Sequence, residues 1–405
     1  MKMGSRSEEA FVNKRSGWSG EFDPKVFFLA LGTFAIGTDA YVISGILAAV
    51  ARDLHIGVNA AGQLISWYSL TYAVAAPVLA AFIGQLKKRN VIVSALILFA
   101  AANAVCAIST SFEILIAARV VAGIASSLYT PTAYTLAATL AAPEKKSKSL
   151  AVVALGLTSA TALGVPIGTV IGQHAGWHGT FWLVVALSLV ALVAIVVARV
   201  SSGDGALAPS PGLVARFKPL AHGSTLLALL PAVAIGSAYF CTYTYLGAIL
   251  GTHGFPERQI AAIFLASGIG GVVGSFAGGQ LGVRFKPIVV LVVTFIVLGV
   301  DAALLAFSLL SFWTAALSLL ILSGSGWLFL PVQQARLLAI VEPHHAQVVM
   351  ALNNSFVYLG SAVGTAIGAE FIRAGAGLPN LHWASAALAC VALVTLALSY
   401  LRSGQ

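Results

Sequence analysis

Twelve apolar stretches, most of them twenty residues or longer, follow one another along the chain at 25–50, 59–84, 90–110, 113–140, 148–173, 179–200, 224–251, 258–282, 287–309, 312–339, 346–372 and 382–401. Each is long enough to cross a hydrocarbon layer about 30 Å thick as a helix rising ~1.5 Å per residue. With 59% hydrophobic and 9% charged residues, the chain has too little polar surface to wrap a soluble core of 405 residues. The expected fold class is therefore all-α: a polytopic membrane protein of twelve spans, numbered 1 to 12 in chain order. The polar stretch 1–24 reads as an N-terminal tail, and the apolar segment after it is too long for a signal-peptide core, so it is expected to stay as span 1.

Orientation follows from the basic residues, because short loops rich in Lys and Arg stay cytoplasmic. With the N-terminus inside, 18 of the 22 lysines and arginines fall on the cytoplasmic side, Arg336 among them. Arg52, Arg258 and Arg373 fall outside, and Arg119 lies within a span. Both termini are thus expected in the cytoplasm, and the net charge of +9 reflects topology, with no nucleic-acid partner implied. Cys106, Cys241 and Cys390 sit singly in apolar stretches and read as free thiols. No phosphate loop, nucleophile elbow or metal motif occurs, and the Gly268 to Gly271 run lies inside a span where it cannot cradle phosphate. No cofactor, metal or enzymatic activity is expected.

The break at 201–223 divides the chain into bundles at 25–200 and 224–402. The halves echo each other. Gly84-Gln85-Leu86 with Arg89 recurs as Gly279-Gln280-Leu281 with Arg284, and Gly164, Gly168 and Gly172 of span 5 correspond to Gly360, Gly364 and Gly368 of span 11. A parallel repeat of six spans is an architecture of secondary transporters that enclose a midplane cavity.

Asp39 in span 1 and Arg119 in span 4 are ionisable groups deep inside apolar helices, at depths similar enough to face one cavity, and such groups are expensive there. Two readings stand: a static buried pair holding the two spans together, or a carboxylate whose proton is exchanged. Tyr41, Tyr68, Tyr72, Tyr129, Tyr239, Tyr243 and Trp327 offer aromatic faces, and Gln333, Asn353 and Asn354 offer amides, either to a substrate or to neighbouring helices. Gly156, Gly164 and Gly168 with Pro166 place small residues and a kink in span 5, suited to close helix approach. Asp301 in span 9 reads as snorkelling or locally partnered.

The chain resembles the major facilitator superfamily, and within it the twelve-span drug:proton antiporters that include arabinose and sugar efflux permeases. The likeness is carried by Gly37-Thr38-Asp39, by Ala60 to Leu64 with Tyr72-Ala73 and Pro77, and by Arg119 to Gly123 with Tyr129-Thr130-Pro131. Gly164-Val165-Pro166-Ile167-Gly168, Gly176-Trp177 and Tyr243-Thr244-Tyr245 add to it. It departs where Lys87-Lys88-Arg89-Asn90 lacks the family's acidic residue and where His178 follows Trp177. The resemblance implies a monomeric exporter in a bacterial inner membrane, exchanging protons for a small organic, drug-like substrate by alternating access. It implies Asp39 and Arg119 as the proton-coupling residues, and Gly84, Arg89, Gly156, Gly164, Pro166, Gly168, Gly279 and Arg284 as conformational ones. Export or facilitation of a natural metabolite is the alternative; an intramembrane enzyme or sensor is the remote one.

Overall fold

A computed structural model describes residues 23–83, 86–142, 145–200, 223–341 and 346–403. The tail before Asp23, the linker 201–222 and Gly84 lie outside the described residues. Among the described residues, eleven helical segments are long and apolar enough to cross a membrane. Spans 1 to 4 are Lys25–Asp53, Val58–Phe82, Lys88–Ile108 and Phe112–Thr139. Spans 8 to 12 are Glu257–Arg284, Pro287–Ser308, Phe312–Ile340, Ala346–Arg373 and Leu381–Ser403.

The segment Lys146–Val197 is 52 residues long. A straight helix of that length would reach about 78 Å, more than twice the hydrocarbon thickness. Gly176, at φ 73° and ψ 161°, turns the chain in its middle, a backbone conformation that side chains rarely adopt. The segment therefore makes two crossings, spans 5 and 6, and the eleven segments make twelve crossings. Within span 5 the helix widens into a π turn at Ala160–Gly164 just before Pro166, which has no N–H to give to the preceding turn.

Span 7 differs from the sequence expectation of one helix over 224–251. Helix Gly223–Tyr243 stops, and a second helix, Leu246–Thr252, resumes after Thr244 and Tyr245. Both interrupting residues are tied to span 11: the Thr244 and Thr365 hydroxyls lie 2.8 Å apart, and Tyr245 donates to the Thr365 carbonyl at 2.9 Å.

In the first half, span 1 packs on span 5 and the Val165–Val197 helix, span 2 on span 4, and span 3 on span 4 and the Val165–Val197 helix. In the second, span 8 packs on span 10, span 7 on spans 11 and 12, and span 9 on spans 10 and 12. The halves meet along two seams, span 2 against span 11 and span 5 against span 8. The glycine ladders face inward within each half. Gly156, Gly164 and Gly168 lie against Ala30, Thr38 and Val42 of span 1, and Gly364 lies against Ser237 of span 7. At mid-depth it is Thr161 and Ala162 of span 5 that meet the other half.

Their partner across the seam is Gly268, where a Cβ would run into the Thr161 carbonyl and the Ala162 backbone. Gly268→Val is expected to leave each half folded and to hold the seam apart. A penalty of ~1.4 kcal/mol on the closed arrangement already lowers its population tenfold. Transport by the variant in vesicles, compared with its unfolding temperature, checks this; wild-type turnover would show that the contact is not needed.

Candidate functional site

Twelve crossings bring Lys25 and Ser403 to one face, called here the terminal face. The contacts between the halves gather toward the opposite face. Gln173 donates to the Glu257 carbonyl at 3.1 Å, and Gly247 lies against the backbone of Ser44 and Gly45. The Ser69 and Ser361 hydroxyls lie 3.0 Å apart, and the Tyr72 and Tyr358 rings stack at 3.7 Å. On the terminal side of these rings and of Trp327, no hydrogen bond between described residues joins the halves.

Asp39 and Arg119 form a pair between spans 1 and 4, both wholly buried. Arg119 Nη1 lies 2.7 Å from each carboxylate oxygen, so one nitrogen serves both. Nε donates to the Leu64 carbonyl of span 2 at 3.3 Å, and Nη2 has no partner among the described residues. The guanidinium carbon sits 4.3 Å from the centre of the Tyr68 ring, whose hydroxyl donates to Ser126 at 2.8 Å. A charged pair this deep persists because each partner offsets the other's desolvation, and the attraction grows in a low dielectric. Placing a proton on Asp39 removes half of that compensation and frees a guanidinium that already holds one unused donor.

Two residues along from Asp39, Tyr41 reaches the other half. Its ring stacks on Phe240 at 6.1 Å and meets Trp327 edge-on at 5.6 Å. Tyr239 contacts Phe240 at 5.1 Å and Tyr243 at 5.0 Å, and Tyr243 meets Phe264 at 6.0 Å. Tyr239 shares a hydroxyl chain with Ser323 (3.0 Å), which lies 2.6 Å from Ser267. Spans 1, 2, 7, 8, 10 and 11 thus contribute to one aromatic and hydroxyl-bearing layer at mid-depth.

Of the residues singled out in the sequence, Tyr41, Tyr72, Tyr239, Tyr243 and Trp327 belong to this layer. Tyr68 covers Arg119. Tyr129 is fully buried and donates to the Leu29 carbonyl at 3.0 Å, joining spans 4 and 1. Gln333 donates to the Ala228 carbonyl at 2.7 Å, so its side-chain amide nitrogen links spans 10 and 7. Asn353 is buried with neither its amide oxygen nor its amide nitrogen partnered among the described residues, whereas Asn354 is exposed one turn before Tyr358. Arg89 donates to the Val196 carbonyl at 3.5 Å, Gly279 faces open space, and Arg284 is exposed above the Phe285 ring.

Two charges are placed more sharply than the sequence allowed. Arg336, near the terminal-face end of span 10, is 1% exposed and donates to Ser399 of span 12 at 2.7 Å. Asp301 accepts from Ser318 of span 10 at 3.0 Å, which is the local partner. Sequence reasoning missed Phe240, Tyr358 and the Ser69–Ser361 contact. Phe240 was legible as the middle of the Tyr239 to Tyr243 turn; the two serines carry no signal in a chain rich in small residues.

The sequence profile of the Major Facilitator Superfamily matches residues 29–365. An MFS-type transporter of Bacillus subtilis, YbcL, is 30% identical over 91% of this chain and 94% of its own. A chloramphenicol resistance protein of Streptomyces lividans is 33% identical over 66% of this chain and 69% of its own. The inner membrane transport protein YdhP of Escherichia coli is 26% identical over 92% of this chain and 94% of its own. Among solved structures, a bacterial homolog of the lysosomal transporter Spinster, inward-facing and unoccupied, superposes with a TM-score of 0.73 at 16% identity over 94% of this chain and 98% of its own. The repeat of six helices, the buried acid and base, and these matches together place the chain in the Major Facilitator Superfamily, as a multi-pass membrane transporter and not an enzyme.

Proposed function

We propose that the protein is a proton-coupled antiporter that exports a small organic compound from a bacterial cell by alternating access. The observation that carries this reading is the Asp39–Arg119 pair, the only ion pair with both partners wholly buried among the described residues. A carboxylate held by one cation is stable at membrane depth as an ion pair, and as a neutral acid once protonated; two such states are what proton exchange requires. With both termini in the cytoplasm, the closed seam lies on the outer side, and the described arrangement faces inward.

The aromatic layer supports a substrate with flat apolar surface and a few hydrogen-bonding groups. Its walls hold tyrosine, phenylalanine, tryptophan and serine, and the single carboxylate near it is committed to Arg119. A neutral aromatic compound fits better than a cation, in keeping with the similarity to the chloramphenicol resistance protein of Streptomyces lividans.

Inverted membrane vesicles test the reading, with chloramphenicol uptake driven by an imposed proton gradient. Asp39→Asn is expected to lower gradient-driven uptake about a hundredfold, equivalent to ~2.7 kcal/mol, while downhill exchange of the compound across the membrane survives. Full coupled uptake by the variant would remove Asp39 from the mechanism.

A further inference from the structure

The seam between spans 2 and 11 is not filled along its whole length. Toward the face opposite the termini it opens sideways into a groove of about 640 Å³, apart from the aromatic layer. Its chemistry changes with depth. At the mouth stand Asn59, Gln63, Glu370 and Arg373; deeper, the walls become Trp67, Leu70 and the small apolar face of span 11 that includes Val363 and Ala366. From Asn59 to Leu70 is eleven residues, about 17 Å along a helix, close to the ~15 Å of hydrocarbon in one leaflet. The polar-to-apolar gradient of the groove therefore matches that of the leaflet beside it.

The mouth carries one charge of each sign. Arg373 Nη2 lies 2.8 Å from Glu370 Oε1 and Nε lies 2.9 Å from Oε2, and the two side chains remain 71% and 62% exposed. They offer a cation and an anion side by side at headgroup level, next to two side-chain amides. A ligand that complements all of this has an anionic phosphate, a neighbouring ammonium, ester carbonyls and a long apolar chain.

We propose that the groove is a binding site for a zwitterionic phospholipid of the leaflet opposite the termini. Its phosphate lies toward Arg373 and its ammonium toward Glu370, with one acyl chain laid between Leu70 and Val363. The two walls belong to opposite halves of the protein, so a lipid that touches both is held best when the seam is closed. The bound lipid therefore favours the arrangement described here over the one in which spans 2 and 11 part. This regulatory consequence rests on the alternating-access reading of the Proposed function; lipid occupancy does not.

Photolabelling of the purified full-length protein tests occupancy without any transport assay. The probe is phosphatidylethanolamine with a diazirine in one acyl chain, and the same chain on phosphatidylglycerol is the control. Labels are expected on the span 2 and span 11 peptides that contain Leu70 and Val363, with the ethanolamine lipid preferred. Ala366→Phe, which fills the groove, is expected to reduce that label at least tenfold, and its melting temperature reports whether it folds. Glu370→Gln with Arg373→Gln leaves the groove open and is expected to abolish the preference between the two lipids. Labels spread evenly over all lipid-facing peptides, or a preference unchanged by the double substitution, would overturn the proposal. So would displacement of the lipid by chloramphenicol, because the groove would then belong to the transported compound. If the label behaves as expected while Asp39→Asn keeps full coupling, the lipid site stands and only the proton mechanism falls.

Discussion

Arg119→Leu is expected to abolish transport and to destabilise the protein by about 3–5 kcal/mol, the usual cost of stranding one member of a buried ion pair. Among the described residues Asp39 has no second cation within hydrogen-bonding distance, so its carboxyl must take up a proton permanently or the helices around it must loosen. The double variant Asp39→Asn, Arg119→Leu separates the two roles. It removes both charges from the same place, and its thermal unfolding in detergent is expected to return most of the way to wild type. Coupled transport is expected to stay absent. If the double variant is as unstable as the single one, the pair does not hold spans 1 and 4 in the way its geometry implies. If Arg119→Leu alone transports normally, the pair is an ornament of the fold.

The second large effect concerns the seam. The Ser69 and Ser361 hydroxyl oxygens are 3.0 Å apart across the two halves, and both residues are buried. Cysteines placed there come close enough for a bond of ~2.05 Å with little backbone movement. In a background carrying Cys390→Ser, which removes the one exposed native thiol, Ser69→Cys with Ser361→Cys is expected to cross-link under mild oxidation. Transport is expected to fall to background and to return on reduction, because spans 2 and 11 can no longer separate on the face opposite the termini. The measurement is vesicle transport before and after reductant, paired with a gel-shift for the intramolecular bond. Undiminished turnover in the fully cross-linked protein would mean that this seam stays closed throughout the cycle.

Much of this architecture was legible because a membrane imposes few choices. Backbone groups in hydrocarbon must be paired within their own helix, so long apolar stretches have one local outcome, and their ends followed from Gly, Pro and charge. The same rule made Asp39 and Arg119 conspicuous, since an ionisable side chain in such a stretch has to be explained. What sequence did not disclose is which face of each helix meets which neighbour. Tyr68 and Tyr72 lie one turn apart in span 2, yet one covers a guanidinium and the other stacks across the seam. The difference is set by the placement of span 4 and span 11, which no pattern within span 2 records. The burial of Arg336 was hidden for a related reason: its partner, Ser399, stands on span 12, which no pattern within span 10 records. The glycines of span 5 were legible as sites of close approach while their partner, span 1, was not, because small residues say that something comes near without saying what.

The two halves touch through hydroxyls, backbone atoms, one glutamine and aromatic rings; among the described residues no ion pair spans the seam. Dissolved salt screens charges and leaves such contacts almost untouched. The direct contacts between the halves are therefore expected to hold about equally well at low and at high ionic strength, so that salt reaches the conformational cycle only through charges that lie away from the seam's own contacts.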